Sequence, residues 1–246
     1  MPTAYYTQTL IIMINQEKVL ILRTSNKNHR SYGGFQWPKE IGSVVKCDDW
    51  EPTTRCGNGL HGALWGEGDG SLFNWSEDAV WQVVEANKSD VIDLDGKVKF
   101  PECTLGYVGN QESATKYIYE HGGQGRAIIG ITLTAGYRGT ATAGYRGTAT
   151  AGDEGTATAG YRGTATAGYR GTATAGYRGT ATAGDEGTAT AGDEGTATAG
   201  DEGVIIIKYY CLESGRYKLM VGYIGEGGLE PNVAYKIDGN NQFVKG

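Results

Sequence analysis

The strongest constraint on this chain is a repeat with an even period. Residues 139–160 read GTATAGYRGTATAGDEGTATAG, and the Ala-Gly pair of this unit recurs at 135, 143, 151, 159, 167, 175, 183, 191 and 199. Of these nine octads, five continue with Tyr-Arg (137, 145, 161, 169, 177) and four with Asp-Glu (153, 185, 193, 201), and Thr132-Leu133-Thr134 is an imperfect founding copy. Side chains of a strand alternate between its two faces, so an even period places the same residues on the same face in every copy. Threonine hydroxyls turned inward would need partners, whereas alanine methyls would not. Alanine is therefore expected inside and threonine outside. Gly136 and Gly139 flank the variable pair and suit a tight turn. One octad is then a short strand plus a corner, and two octads make a sixteen-residue coil. Coils stack about 4.8 Å apart, and nine octads build roughly four and a half of them.

With this coil, corners stack every sixteen residues. One column holds Tyr137/Arg138, Asp153/Glu154, Tyr169/Arg170, Asp185/Glu186 and Asp201/Glu202, where Arg138, Glu154, Arg170 and Glu186 can pair between rungs. The other holds Tyr145/Arg146, Tyr161/Arg162 and Tyr177/Arg178, then Asp193, forming a tyrosine ladder with stacked arginines. The open ends of such a solenoid recruit other chains unless they are capped. The segments before and after the repeat are natural caps. The expected fold is mainly β, with a small α+β domain at 1–131, a short β-solenoid at 132–203 and a C-terminal β-hairpin cap at 204–246.

The flanks have ordinary composition, and Trp37, Trp50, Trp65, Trp75 and Trp81 all precede the repeat, enough for a packed core. QTLIIMI and KVLILRT, separated by NQE, predict a hairpin; SDVIDLDGKVKF predicts two short strands around Asp-Gly. DAVWQVVEA fits a helix or a strand, and its tryptophan and valines lean to strand. QESATKYIYEHGGQG predicts a helix ending at Gly122. VIIIKYYCLESGRYKLMVGY predicts a hairpin turning at Glu213–Gly215, and the tail adds a short strand.

Composition excludes some functions. The net charge is -6 with no Lys/Arg cluster, which argues against a nucleic-acid groove binder. No run approaches the ~18 apolar residues of a membrane span, and no basic segment precedes the first apolar run. Cys47, Cys56, Cys103 and Cys211 are scattered, without the spacing of a zinc ribbon or a disulfide framework. The expectation is a cytoplasmic protein with no membrane or nucleic-acid partner, no cofactor and no metal.

Four features carry candidate chemistry. Thr140/Thr142, Thr148/Thr150, Thr156/Thr158 and Thr164/Thr166 form Thr-x-Thr pairs that repeat from rung to rung, the kind of lattice that β-solenoid ice-binding proteins present to ice; outward threonines also simply suit strands and hydroxyl ladders. CGNGLHGALWGEGDG (56–70) is glycine-rich and holds Cys56 and His61, a possible thiol–imidazole pair, or with Cys47 part of a metal site, although structural roles are commoner for such residues. It lacks the GxGxxG and GxxxxGK patterns of phosphate loops. Asp90, Asp93 and Asp95 lack the pattern of a calcium loop and read as a solvated turn. HRSYGGFQWP (29–38) is an aromatic loop with Tyr32, Phe35 and Trp37, suited to binding or to core packing.

At Ala143-Gly144-Tyr145 and Thr148-Ala149-Thr150 the chain resembles bacterial ice-nucleation proteins, whose octad Ala-Gly-Tyr-Gly-Ser-Thr-x-Thr has Gly-Ser where Arg146-Gly147 stand here. CGNGLH, the octads and LEPNVAYKIDGNNQFVKG together resemble bacterial and phage proteins of unknown function with a Cys-x-x-Gly-Leu-His domain. Gly59-Leu60-His61 in a small β-rich domain is also similar to the ADP-ribosyltransferase fold, without its catalytic Glu motif. These resemblances imply a solenoid and, for the first, ice. The leading expectation is a non-enzymatic scaffold that associates with itself or another protein through Tyr145, Arg146, Tyr161, Arg162, Tyr177 and Arg178. The alternatives are ice binding through the threonine arrays and an enzyme of nucleotide or ADP-ribosyl chemistry in the N-terminal domain.

Overall fold

The structure is a computed structural model and describes residues 17–246. The expected strand at residues 8–14, and with it the first expected hairpin, lies outside the described residues. The chain forms two compact units, Met1–Gly123 and Gln124–Gly246.

Among the described residues, the first unit is a seven-stranded antiparallel sheet built from β1 (Lys18–Ser25), β2 (Val44–Lys46), β3 (Leu60–Leu64), β4 (Val80–Asn87), β5 (Ile92–Asp93), β6 (Val98–Phe100) and β7 (Glu102–Gly109), in the order β2-β7-β4-β1-β3-β6-β5. DAVWQVVEA supplies β4, as its valines and tryptophan favour, and Asp95-Gly96 turns between β5 and β6. β1 pairs with β4 along its whole length, from Lys18↔Asn87 to Ser25↔Val80. One face of the sheet packs Ile21, Val84, Phe100 and Leu105 with Trp37 into the core. Among the described residues one α-helix, α1 (Gln111–Ile118), starts at an Asn110 cap reciprocated by Ser113. Beyond Ile118 the chain runs through an irregular turn, Tyr119–Gly123, where Gly122 takes φ +111°. A Cβ there would carry the left-handed penalty, so the helix ends where the glycine allows the reversal.

The second unit is a β-solenoid of about five turns over residues 132–207. Its repeat strands are β8 (Thr132–Ala135), β9 (Thr140–Ala143), β10 (Thr148–Ala151), β11 (Thr156–Ala159), β12 (Thr164–Ala167), β13 (Thr172–Ala175), β14 (Thr180–Ala183), β15 (Thr188–Ala191) and β16 (Thr196–Thr198). Even-numbered strands stack in one parallel sheet and odd-numbered strands in the other, with partners sixteen residues apart, such as Thr148↔Thr164 and Thr156↔Thr172. Two octads per coil and inward alanine both hold: Ala149, Ala157, Ala165, Ala173, Ala181 and Ala189 are fully buried. Alanine is the only chiral residue small enough to let the two sheets close on so narrow a bore, and the strand hydrogen bonds carry the stacking.

The corners work differently from the sequence reading. Each is a turn closed by a bond such as Gly139 N–H to Gly136 O (2.9 Å), and its left-handed residue is the Arg or Glu: Arg138 has φ +55° and Glu154 φ +55°. The repeat glycines do not take positive φ. They are required by close approach, since a Cβ on Gly152 would lie 2.9 Å from the Gly136 carbonyl carbon one rung away. Hydrogen bonding continues through the corners, with Arg138 N–H donating to Asp153 O (2.9 Å) and Arg146 N–H to Tyr161 O (2.8 Å).

The C-terminal end is closed by strands of different composition. β17 (Val204–Cys211) continues the odd-numbered sheet in parallel with β15, placing Ile205 and Ile207 opposite Ala189 and Ala191. These isoleucines, buried to 0% and 1% exposure, fill the end of the bore with larger side chains. β18 (Arg216–Tyr223) returns antiparallel on β17, the expected hairpin. β19 (Tyr235–Ile237) pairs antiparallel with β16, and β20 (Phe243–Lys245) with β19.

Candidate functional site

Outward threonines form four rows. Thr140, Thr142, Thr156 and Thr158 lie on the odd-numbered sheet, and Thr148, Thr150, Thr164 and Thr166 on the even-numbered one, each in register with its copies one rung away. They are exposed or half-buried, while the alanines between them are buried. Hydroxyl ladders do not form: among the described residues, no repeat threonine hydroxyl hydrogen-bonds to another protein group. The hydroxyls are presented to solvent in a fixed lattice, because the backbone that carries them is bonded on both sides.

The charged corners sort into two columns. In the first, Arg138 pairs with Glu154 (2.7 Å) and Arg170 with Glu186 (3.2 Å), as expected. The tyrosines join in: Tyr137 Oη donates to Glu154 (3.0 Å) and Tyr169 Oη to Glu186 (2.6 Å). The Arg138 and Tyr137 hydrogen bonds hold the Glu154 carboxyl below its ordinary value. In the second column the ladder exists. Tyr145 and Tyr161 stack at 5.0 Å and 6°, and Tyr161 and Tyr177 at 5.3 Å and 30°. Its last arginine is not a bare cation, since Arg178 pairs with Glu194 (2.6 Å) and Tyr177 Oη also donates to Glu194. Arg162 lies over the Tyr161 ring at 5.5 Å. The aspartates serve the backbone: Asp153 Oδ1 accepts from Tyr169 N–H and Asp185 Oδ1 from Asp201 N–H, both at 2.9 Å. That role has the same sixteen-residue spacing and was readable in principle from Asp at the first corner position.

In the first unit, Cys56 and His61 do not pair with each other. Lys97 Nζ donates to Cys56 Sγ (2.9 Å), which is the first cause of a lowered Cys56 pKa. His61 sits on β3 with burial pushing its pKa down, and its Nε2 has no hydrogen-bond partner. Among the described residues no three His, Cys, Asp or Glu side chains gather as metal ligands. Asp93 caps the turn by accepting from Asp95 N–H (2.9 Å), and Asp90 bonds Asn87 (3.1 Å). Sequence reading missed Arg23, which is buried to 6% exposure on β1. The signal was its place in the alternation Val19, Ile21, Arg23, on the core-facing side.

The comparisons with known proteins divide the same way. The family described as "Domain of unknown function (DUF7666)" matches residues 19–116. An "Ice nucleation protein" of Pseudomonas fluorescens is 41% identical over 110 residues, 44% of this chain and 9% of that protein. "Ice nucleation protein InaU" of Pantoea ananas is 36% identical over 110 residues, 44% of this chain and 10% of that protein. An "Ice nucleation protein" of Xanthomonas campestris pv. translucens is 38% identical over 104 residues, 42% of this chain and 6% of that protein. The chain thus spans a tenth or less of the length of these curated relatives. No solved structure matches it significantly. The relatives overturn the expectation of a cytoplasmic location, because they are outer-membrane-anchored surface proteins, and that expectation is withdrawn. The chain joins a DUF7666 domain at residues 19–116 to a β-solenoid whose octads are similar to the repeat of ice nucleation proteins.

Proposed function

We propose that this protein binds ice through the threonine faces of its solenoid. The observation that carries this reading is the set of repeat hydroxyls held in register and unused by the protein. Within a strand the two threonines are two residues apart, about 6.7 Å, and between rungs the rows are about 4.8 Å apart. Each position offers a hydroxyl that bonds water and a methyl that fills the gap beside it. Water held at such regular points is ordered in two dimensions before any crystal forms. The names of the relatives support the same reading, ice nucleation rather than a generic scaffold.

The test is thermal hysteresis and droplet freezing on the full chain. Replacing Thr156, Thr158, Thr172 and Thr174 by Lys alters one face, and replacing Thr148, Thr150, Thr164 and Thr166 alters the other, without touching the buried alanines. The activity is expected to fall with one of these variants. A wild-type protein that neither shapes ice growth nor raises the freezing temperature of droplets would end the proposal.

Self-association is the second reading, and the edge of one sheet favours it. Among the described residues, β18 is the outermost strand of the odd-numbered sheet. Its Tyr217, Leu219, Val221 and Tyr223 fall on one side, and each is at least 45% exposed. Joining copies there extends the sheet, and with it the threonine area.

A further inference from the structure

Two stretches that stood out in the sequence, and that ice binding does not use, line one cavity. The aromatic loop contributes Tyr32, Phe35 and Trp37, and the glycine-rich segment contributes Cys56 and His61, around a space of about 810 Å³. Arg23 and Lys97 line the same space. We propose that the N-terminal unit binds an aromatic anion of nucleotide size in this cavity, with Arg23 and Lys97 holding the anionic group and the exposed rings of the aromatic loop covering the planar part.

Of the eight buried polar side-chain atoms without a partner among the described residues, three belong to residues that line the cavity: Arg23 Nε, Trp37 Nε1 and His61 Nε2. Buried polar atoms in folded proteins are nearly always hydrogen-bonded, so three around one space point to a ligand that supplies the partners. Arg23 is the most telling. It is 94% buried by its 6% exposure, its guanidinium lies 3.4 Å above the Trp37 ring, and it has no carboxylate partner among the described residues. Among the described residues its guanidinium makes one hydrogen bond, to the Thr24 carbonyl (3.1 Å). A buried cation without a counter-charge destabilises the fold unless the site acquires an anion. Burial pushes its pKa down to about 9, so it remains charged at neutral pH and attracts one.

The shape of the ligand follows from the rest of the lining. Tyr32 is fully exposed and Phe35 39% exposed at the cavity, a poor place for rings with nothing to cover. Phe35 stands edge-on to Trp37 at 5.5 Å, leaving ring faces for a planar group. Asp48 and Asp49 also line the space and suit hydroxyl or amino donors rather than a second anion. A ring, hydroxyls and one phosphate in a space of this volume describe a nucleoside monophosphate.

Two readouts on the full chain test this with AMP, adenosine and inorganic phosphate as probes. Calorimetry measures binding, and the rate of Cys56 alkylation, read by peptide mass spectrometry, reports occupancy beside Lys97. AMP is expected to bind saturably and to slow Cys56 alkylation, with adenosine and phosphate each weaker by about tenfold or more, the value of a charge-assisted hydrogen bond. Arg23→Met removes the unpaired charge while keeping the packing on Trp37, so it is expected to fold and to lose AMP binding. Phe35→Ala, at the rim, is expected to weaken AMP and adenosine alike. No saturable AMP binding up to millimolar concentration, equal binding of adenosine and AMP, or unchanged AMP affinity in a folded Arg23→Met protein would each overturn the proposal.

Discussion

At the residue scale the octad is governed by one backbone position. The second corner residue is left-handed in every octad, from Arg138 at φ +55° to Glu202 at φ +53°. A non-glycine residue there costs on the order of 1 kcal/mol. The resembling ice-nucleation octad has glycine at this position, and this chain has Arg or Glu. The strain is offset where the side chain finds a partner, as Glu154 does with Arg138 and Tyr137. Glu202 has no such partner among the described residues. Glu202→Gly is therefore expected to stabilise the protein by roughly 0.5–1 kcal/mol. Glu154→Gly gains the same backbone relief, leaves Arg138 and Tyr137 unpaired, and is expected to come out less stable than Glu202→Gly. Denaturant midpoints of the two variants, compared with wild type, check both; equal shifts would remove side-chain pairing as the reason for Glu154.

At the element scale the flipped pair makes sense as a column. A Tyr-Arg corner followed sixteen residues later by Asp-Glu creates one ion pair and one phenol–carboxylate bond, as at Arg138/Tyr137 with Glu154 and Arg178/Tyr177 with Glu194. A Tyr-Arg corner on another Tyr-Arg corner instead stacks rings, as Tyr145, Tyr161 and Tyr177 do. The Glu194 carboxyl is held low by its bonds from Tyr177 and then Arg178, and Glu154 by Arg138 and then Tyr137. A carboxyl with a depressed folded pKa contributes stability above its ordinary value of 4.5, and loses it as pH falls through the lower folded value. The solenoid is therefore expected to melt at a lower temperature below about pH 4.5 than at pH 7, by a small amount that added salt reduces. Circular dichroism melts across this range check it. No change in an Arg138→Gln, Arg178→Gln double variant's pH profile relative to wild type would remove these pairs as the cause.

At the scale of the whole molecule, size and edges matter. About five turns give each face only a few rungs of threonine. Surface effects on ice grow with area, so association is the direct route to a larger face. Among the described residues, β18 ends the odd-numbered sheet with an apolar row and no further strand paired to it, the form of strand that recruits another strand. Leu219→Lys and Val221→Lys together are expected to lower the mass measured by light scattering at high protein concentration. A wild-type protein that is monomeric throughout, or one whose mass the double variant leaves unchanged, removes this edge as the contact.

The repeat made much of this architecture legible in the residues themselves. An eight-residue period with alternating Thr and Ala can satisfy its polar groups only with alanine inside, and the even period carries that choice through every copy. Coil length, inward alanine, stacked tyrosines and the Arg138–Glu154 pair all follow from that local rule. The same holds for β4, whose Val83 and Val84 prefer a strand, and for the end of α1 ahead of Gly122. What the residues alone did not decide depends on contacts between distant segments. The glycines read as turn formers, but a Cβ on Gly152 meets the Gly136 backbone of the next coil, and the left-handed burden falls on Arg and Glu. Cys56 and His61 offered a possible pair beside the commoner structural role, and folding gives Cys56 to Lys97 and sets His61 beside a cavity with Arg23 and Trp37. A periodic pattern encodes its own neighbours because each copy meets an identical copy at a fixed offset; a unique domain does not, since its neighbours come from unrelated stretches that only chain folding brings together.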